Sequence, residues 1–236
     1  LSAQVRSVWA KFGYDPESHH WLPLWLHLLD AAVVAEHLAR HWLAPTTREL
    51  IEREFAGSES GLTPVEEFCL LASWVAGVHD IGKCTPAFSV QAPGLDDRMK
   101  EVGLIHEPVD RLERRKVPHA LAGHVILENW LMDGHGWDLE PAEALASVVG
   151  AHHGVPPTTA ALTTDYYGHE HLLGEDEAWS ATRHELLELV TRRTGAAALL
   201  PRWARHRWSQ PFLVELSGLL IVSDWIASTE AYFPLL

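Results

Sequence analysis

Cysteine is scarce in this 236-residue chain: Cys69 and Cys84 are the only two. That argues against a disulfide framework and makes a reducing cytoplasm the expected home. Long hydrophobic runs are missing too. No apolar stretch reads as long and uninterrupted enough to span a bilayer, so no membrane is expected as a partner. The opening LSAQVRSVWAKFGYDPESHH lacks the basic, apolar and small-residue order of a signal peptide. Strand-like alternation, internal repeats, low-complexity tracts and a convincing linker are all absent. Positive charge is in short supply, with a net charge of −14 when the histidines are neutral. This argues against a domain that coats nucleic acid by global electrostatics. It leaves two local basic tracks, Arg111 to Lys116 and Arg192 to Arg207, which read equally well as solvated surface. Finally, there is no G-x-x-x-x-G-K-[ST] phosphate loop and no nucleophile elbow.

What is present is apolar and helical. Apolar residues make up 47% of the chain, enough for a sizeable core. The chain reads as a series of helices, all-α, in one domain spanning residues 1–236. Pro23 to Leu43 opens with proline in its first turn and places His27, Ala31, Val34 and Leu38 on one face. Thr63 to Asp80 starts with a capping box, Thr63 and Glu66, with Pro64 at the first helical position. From Phe68 to Val78 it is apolar almost all round, which marks a central buried helix, and Gly82 is placed to end it. Pro86 to Glu107 reads as a short helix and then a loop, with Pro93 and Gly94 as breakers. Further helices are expected at Pro118 to Asp133, Glu140 to His153, Glu175 to Arg193, Ala196 to Trp208 and Pro211 to Tyr232. A polar insertion, TTDYYGHEHLLGEDEA, lies among them.

Against this background a few polar residues stand out. The run WVAGVHDIGK ends a core helix in adjacent His79 and Asp80. His27 lies on an apolar face, His152 and His153 end another helix, and Asp224 sits on the apolar stripe of LLIVSDWIAS. A buried carboxylate without a cation costs several kcal/mol or protonates. Imidazoles and carboxylates together are the ligand set of first-row transition metals. Each residue alone has a plainer account: a hydrogen-bonded core histidine, a charged helix C-terminus, or an aspartate paired with arginine. Together they point to metal. Cys84 has no paired base other than one of these histidines, so a thiol mechanism has no support.

The motif VHDIGK on such a helix, with an upstream histidine and a distal aspartate in SDWIAS, resembles the HD phosphohydrolase superfamily. Within it, HLLDAAVVAEHL, GAHHG and VSDWIASTEAYFP make the chain most similar to the HD nuclease domain of the CRISPR-associated type I nuclease-helicase, over essentially its whole length. The resemblance implies an HD-type helical domain with a two-metal site at its centre. His27, His79, Asp80 and Asp224 match the ligands of one metal. Asp80 bridges to a second, held by His119, His152 and His153. His124 is the alternative to His119. The two are separated by about 140° on a helix, so both can hardly face one site. His119 is preferred because it lies in the first helical turn, where the dipole favours a neutral imidazole, and because it matches the family's position. His20 is a weaker alternative to His27. Asp30, one turn on, is either an acceptor that orients His27 or a solvated carboxylate. The other histidines, His19, His37, His41, His169 and His171 among them, read as surface or core.

Two metals about 3.5–4 Å apart activate water and clamp phosphate oxygens. Asp80 and Lys83 are the catalytic candidates, Lys83 reaching a phosphate oxygen or else serving only solubility. The resemblance implies cleavage of single-stranded DNA fed by a helicase and displaced by an RNA-guided surveillance complex. With no motor motif in the chain, a standalone subunit or a piece cut before a helicase is expected, and the ending AYFPLL suits the latter. Two divalent ions are expected, and the mixed nitrogen and oxygen ligands suit Fe, Mn, Co, Ni or Zn without choosing among them. Hydrolysis of nucleotides or cyclic nucleotides, and a non-catalytic HD scaffold, are the alternatives.

Overall fold

The structure, a computed structural model, describes residues 1–13, 20–174 and 176–236. A single turn, α1 (Ala3–Ser7), precedes a two-stranded antiparallel sheet of β1 (Trp9–Phe12) and β2 (Trp21–Pro23). Then come α2 (Leu24–His41), α3 (Pro45–Glu54) and α4 (Pro64–Val78). Next are α5 (Pro86–Ser89), α6 (Pro93–Glu101), α7 (His119–Asn129) and α8 (Leu139–Gly150). The chain closes with α9 (Glu177–Thr194), α10 (Leu200–Trp203) and α11 (Gln210–Ala227). The fold is therefore helical as expected, with a small two-stranded sheet added. His19 and the expected helix start at Glu175 lie outside those residues.

α4 is the axis of the molecule. Its start is fixed by the capping box: Thr63 Oγ1 accepts from the Glu66 N–H, and Glu66 Oε2 accepts from the Thr63 N–H at 2.8 Å. Every residue from Leu71 to Ser89 is buried. α2 packs along one side and α9 along another. Gly77 makes the approach possible, since a Cβ there would lie 2.5 Å from Val190 Cγ1 and 3.2 Å from Ala32 Cβ. Trp74, fully buried, donates its Nε1–H to Thr191 Oγ1 at 3.0 Å. At the helix's other end buried Glu67 accepts from Arg202 Nε at 2.9 Å, Trp203 Nε1 at 3.2 Å and Ser60 Oγ at 2.7 Å. A buried carboxylate is tolerable only with such partners.

Several expectations are corrected. Pro23 is the residue before α2, not part of its first turn. α3, PTTRELIERE, and the two short strands went unread because they are polar or too short to show a period. Pro93 does not break structure but starts α6 at its first turn, where a missing N–H loses nothing. Ala196 to Trp208 is not one helix: a 3₁₀ turn, Ala196–Ala198, leads into α10 alone. A π turn at Ala161–Asp165 leads into the polar insertion, which carries a 3₁₀ turn at Glu170–Leu173 that buries Leu172 and Leu173. α11 ends at Ala227, and Ala231 is exposed. α11 is also, by length and composition, apolar enough to cross a membrane. It packs here against α2, α4 and α8, burying Phe212, Leu216, Leu220 and Ala227 in the core.

Candidate metal centre

α4 ends at Val78, leaving carbonyls without helical partners. The side chain of His79 takes one of them: its Nδ1–H donates to the Ala76 carbonyl at 2.6 Å. That holds the ring in place and turns Nε2 inward, toward the other candidates. His152, just past the end of α8, repeats the device, donating from Nδ1 to the Val149 carbonyl at 2.6 Å.

Around these two rings the remaining candidates converge in two sets. The first joins His27 of α2, His79, Asp80 and Asp224 of α11, with their ligand atoms within 4.8 Å of one another. His27 Nε2 lies 3.1 Å from Asp80 Oδ2 and 3.5 Å from Asp224 Oδ1. His79 Nε2 lies 3.4 Å from each of the same two oxygens. The second set is His119, His152 and His153. His119 Nε2 stands 3.3 Å from His152 Nε2 and 2.8 Å from His153 Nε2. Asp80 belongs to both. Its Oδ2 faces the first set, and its Oδ1 lies 3.5 Å from both His119 Nε2 and His152 Nε2. Lys83 Nζ is 2.5 Å from Asp80 Oδ2.

The turn Ile81–Lys83 and α7 meet at backbone distance. Gly82 does not end α4, contrary to expectation, and its φ is not left-handed. A Cβ at Gly82 would lie 1.9 Å from the His119 carbonyl oxygen and 2.5 Å from the Gly123 amide nitrogen. Only glycine lets the first turn of α7, with His119, come this close to Asp80.

The electrostatics divide the two sets. Burial disfavours charge on His79, but the Asp80 and Asp224 carboxylates more than reverse this and push its imidazole up to about 10. Burial raises the Asp80 carboxyl, yet Lys83, then His79, hold it well below the usual carboxylate range. Asp224 is likewise held far down, by His27 and His79 against its burial. The first set therefore demands positive charge. In the second, burial lowers His119 to about 4 and His152 to about 3, so both rings are neutral donors. With its Nδ1–H committed to the Val149 carbonyl, the neutral His152 ring presents its Nε2 lone pair to His119 Nε2 at 3.3 Å, a contact that a proton on His119 Nε2 or a shared cation satisfies. His79 Nε2 and Asp80 Oδ1, both buried, make no hydrogen bond among the described residues. Orphaned buried donors and acceptors of mixed nitrogen and oxygen type fit divalent transition metals.

Other candidates fall outside. His124 points away from the cluster and pairs with Glu128 Oε2 at 3.1 Å, one turn on in α7. His20 is exposed and in neither set. Asp30 does not orient His27, whose Nδ1 makes no hydrogen bond among the described residues. Sequence reasoning missed Lys11 of β1, whose ammonium lies beside the C-terminal turn of α11, because a four-residue strand carries no readable pattern.

The family model for the Cas3 HD domain matches residues 9–233. The chain belongs to the Cas3 HD domain family. Its sequence is 31% identical to the CRISPR-associated nuclease/helicase Cas3 of Streptococcus thermophilus, over 97% of this chain and 25% of that protein. Among solved structures, that of a CRISPR-associated protein superposes with a TM-score of 0.77 at 30% identity, covering 99% of this chain and 24% of the other. The Thermus thermophilus Cas3 HD domain, crystallised in the presence of Ni2+, superposes with a TM-score of 0.66 at 28% identity, covering 99% of this chain and 81% of the other. The chain spans about a quarter of the length of the curated Cas3 relatives it matches, 25% and 22%.

Proposed function

We propose that the chain is the metal-dependent nuclease unit of a CRISPR interference machine, hydrolysing phosphodiester bonds of single-stranded DNA in the cytoplasm. A helicase, on the same chain or a separate one, feeds the strand after an RNA-guided surveillance complex has displaced it. The observation that carries this is the division of Asp80, one carboxylate oxygen facing each ligand set at 3.1–3.5 Å.

His27, His79, Asp80 and Asp224 would hold one divalent ion; Asp80, His119, His152 and His153 would hold the other. Such ions supply Lewis acidity toward phosphate and acidify water to about neutral pH. The chain's own residues do the rest. The Ala76 and Val149 carbonyls keep the Nδ1 protons of His79 and His152 and so keep both rings aimed. Asp80 couples the two sets. Lys83 lies against Asp80 and over the Phe88 ring, 5.5 Å from its centroid, where its ammonium can turn to a phosphate oxygen as charge builds. The acidic balance of the chain suits a strand delivered by a partner more than one captured by diffusion.

The test is metal analysis of the purified chain together with cleavage of linear single-stranded DNA across Mn2+, Fe2+, Co2+, Ni2+ and Zn2+. Oligonucleotide products with metal bound support the proposal. Cleavage confined to mononucleotides or cyclic nucleotides moves it to a nucleotide phosphohydrolase. Bound metal with no hydrolysis of either moves it to a scaffold.

A further inference from the structure

Strand β1 pairs with β2 through an irregular register: Trp9 faces Pro23, Lys11 faces Leu22, and Ala10 is the extra residue between them. Such a bulge breaks side-chain alternation and re-aims the next side chain along the strand. Trp9 and Ala10 are both buried in succession, Trp9 against the Phe88 ring at 4.3 Å, the same ring that lies under Lys83. Lys11 is thereby directed over the end of α11, its Nζ 3.5 Å from the carbonyl oxygen of Ala227, one turn beyond Asp224. Two ammonium groups thus lie close to the candidate centre, and they differ. Lys83 is paired with Asp80 at 2.5 Å. Lys11 forms no ion pair among the described residues, although its ammonium feels Asp224, Asp80, Glu230 and Asp30 as well as Lys83. Burial, then Lys83, lowers it to about 8, so at neutral pH it still carries its charge.

Resting on the nuclease reading above, we propose that Lys11 is a phosphate-binding residue of the DNA track, its ammonium gripping a backbone phosphate of the strand beside the one being cut. A half-buried lysine held by one long contact to a carbonyl keeps donors free, and an ammonium serves a phosphate as a point charge. Its place at the rim, one helical turn from Asp224, sets it to fix the strand's register without touching the reacting atoms.

The experiment compares the wild-type chain, Lys11→Gln and Lys11→Arg, each loaded with Mn2+, on linear single-stranded DNA at a series of salt concentrations. Lys11→Gln is expected to raise KM about tenfold with kcat changed less than about twofold, as for one partly screened charged contact. The slope of log KM against log salt should fall by about 0.7, one phosphate's share. Lys11→Arg should restore both, and metal content should be equal in all three. Unchanged KM and slope in the Gln variant, or a loss confined to kcat or melting temperature, overturns the assignment of Lys11 alone. A wild-type chain that binds metal yet leaves DNA intact overturns the nuclease reading and this proposal with it. Should Lys11→Gln not fold, Lys11→Met, which keeps the apolar stem, carries the same readouts.

Discussion

His79 and His152 meet edge to face, ring centroids 5.2 Å apart and planes at 84°, each held by the same bond from Nδ1 to a carbonyl three residues earlier. Both carbonyls belong to the last turn of a helix, and that of Val149 also accepts the His152 backbone N–H at 3.3 Å. The end of a helix thus supplies both the histidine and the acceptor that aims it. Two such ends, placed head to head by the packing of α4, α7 and α8, build two inward-facing nitrogens without any dedicated orienting side chain. The cost is a set of buried polar atoms, His79 Nε2 and Asp80 Oδ1 among them, without a hydrogen-bond partner among the described residues.

Because Asp80 is shared and Asp224 is not, their removal should differ in kind. Asp80→Asn is expected to lower metal content in both sets, with DNA cleavage falling by at least about a hundredfold, more than the loss typical for a supporting residue. Asp224→Asn should deplete the first set while His119, His152 and His153 keep theirs. Titration of each variant with Mn2+, read by calorimetry, distinguishes a two-site loss from a one-site loss. Equal losses in the two variants would contradict the bridging role.

His119 and His124 share a helix but not a face. His119→Ala should abolish one bound metal and cleavage with little effect on folding, since the ring is partly exposed and, among the described residues, bonds to other site residues. His124→Ala should leave metal content intact and reduce stability by about 1–2 kcal/mol, through a small cavity and the lost bond to Glu128. Denaturant melts beside metal analysis read both.

Much of this site was legible because polar side chains on apolar helical faces stand out. His27 and Asp224 each interrupt a hydrophobic stripe, and His79 and Asp80 follow an apolar run with an unmistakable capping box. The rest was hidden for physical reasons. Gly82 after a helix looks like a terminator, and only the packed backbone of α7 shows that space, not φ, demands it. Pro93 looks like a breaker because proline opens a helix as readily as it stops one. Lys11 depends on a sheet of four and three residues, too short for any period to appear. Carbonyl acceptors leave no trace in side-chain patterns at all.

Away from the centre, Asp96 provides a pH-dependent tie. Its Oδ1 accepts from Ser89 Oγ at 2.5 Å and from His106 Nε2 at 2.9 Å, while His106 Nδ1 donates to the Glu107 carbonyl at 2.7 Å. Lys100 adds an ion pair at 2.7 Å. Against its burial these partners, His106 first, hold Asp96 at about 2, and Asp96 in turn raises His106. The stability from Asp96 is present above about pH 4 and lost as pH falls toward 2. The stability from charged His106 is complete below about pH 6.5 and lost as pH rises through its raised value. His106→Gln is therefore expected to destabilise most near pH 5 and least near pH 9. Urea melts at pH 5, 7 and 9 check this, and a difference that grew with pH would contradict it.

The sharpest structural prediction concerns a single methyl group. At Gly82 a Cβ would fall 1.9 Å from the carbonyl oxygen of His119 and 2.9 Å from its carbon, both backbone atoms that no rotamer change can move aside. Gly82→Ala must therefore push the first turn of α7 away from Ile81–Lys83, or distort the turn itself. The expected loss of stability is about 3 kcal/mol, the upper end for overpacking by a small group. The first set rests on α2, α4 and α11 and does not require α7, so His27, His79, Asp80 and Asp224 should still bind a metal. His119 rides on the displaced turn, so the second set should lose affinity by about tenfold or more. A variant with both affinities intact and a normal melting point would mean that α7 approaches the turn less closely than these distances state.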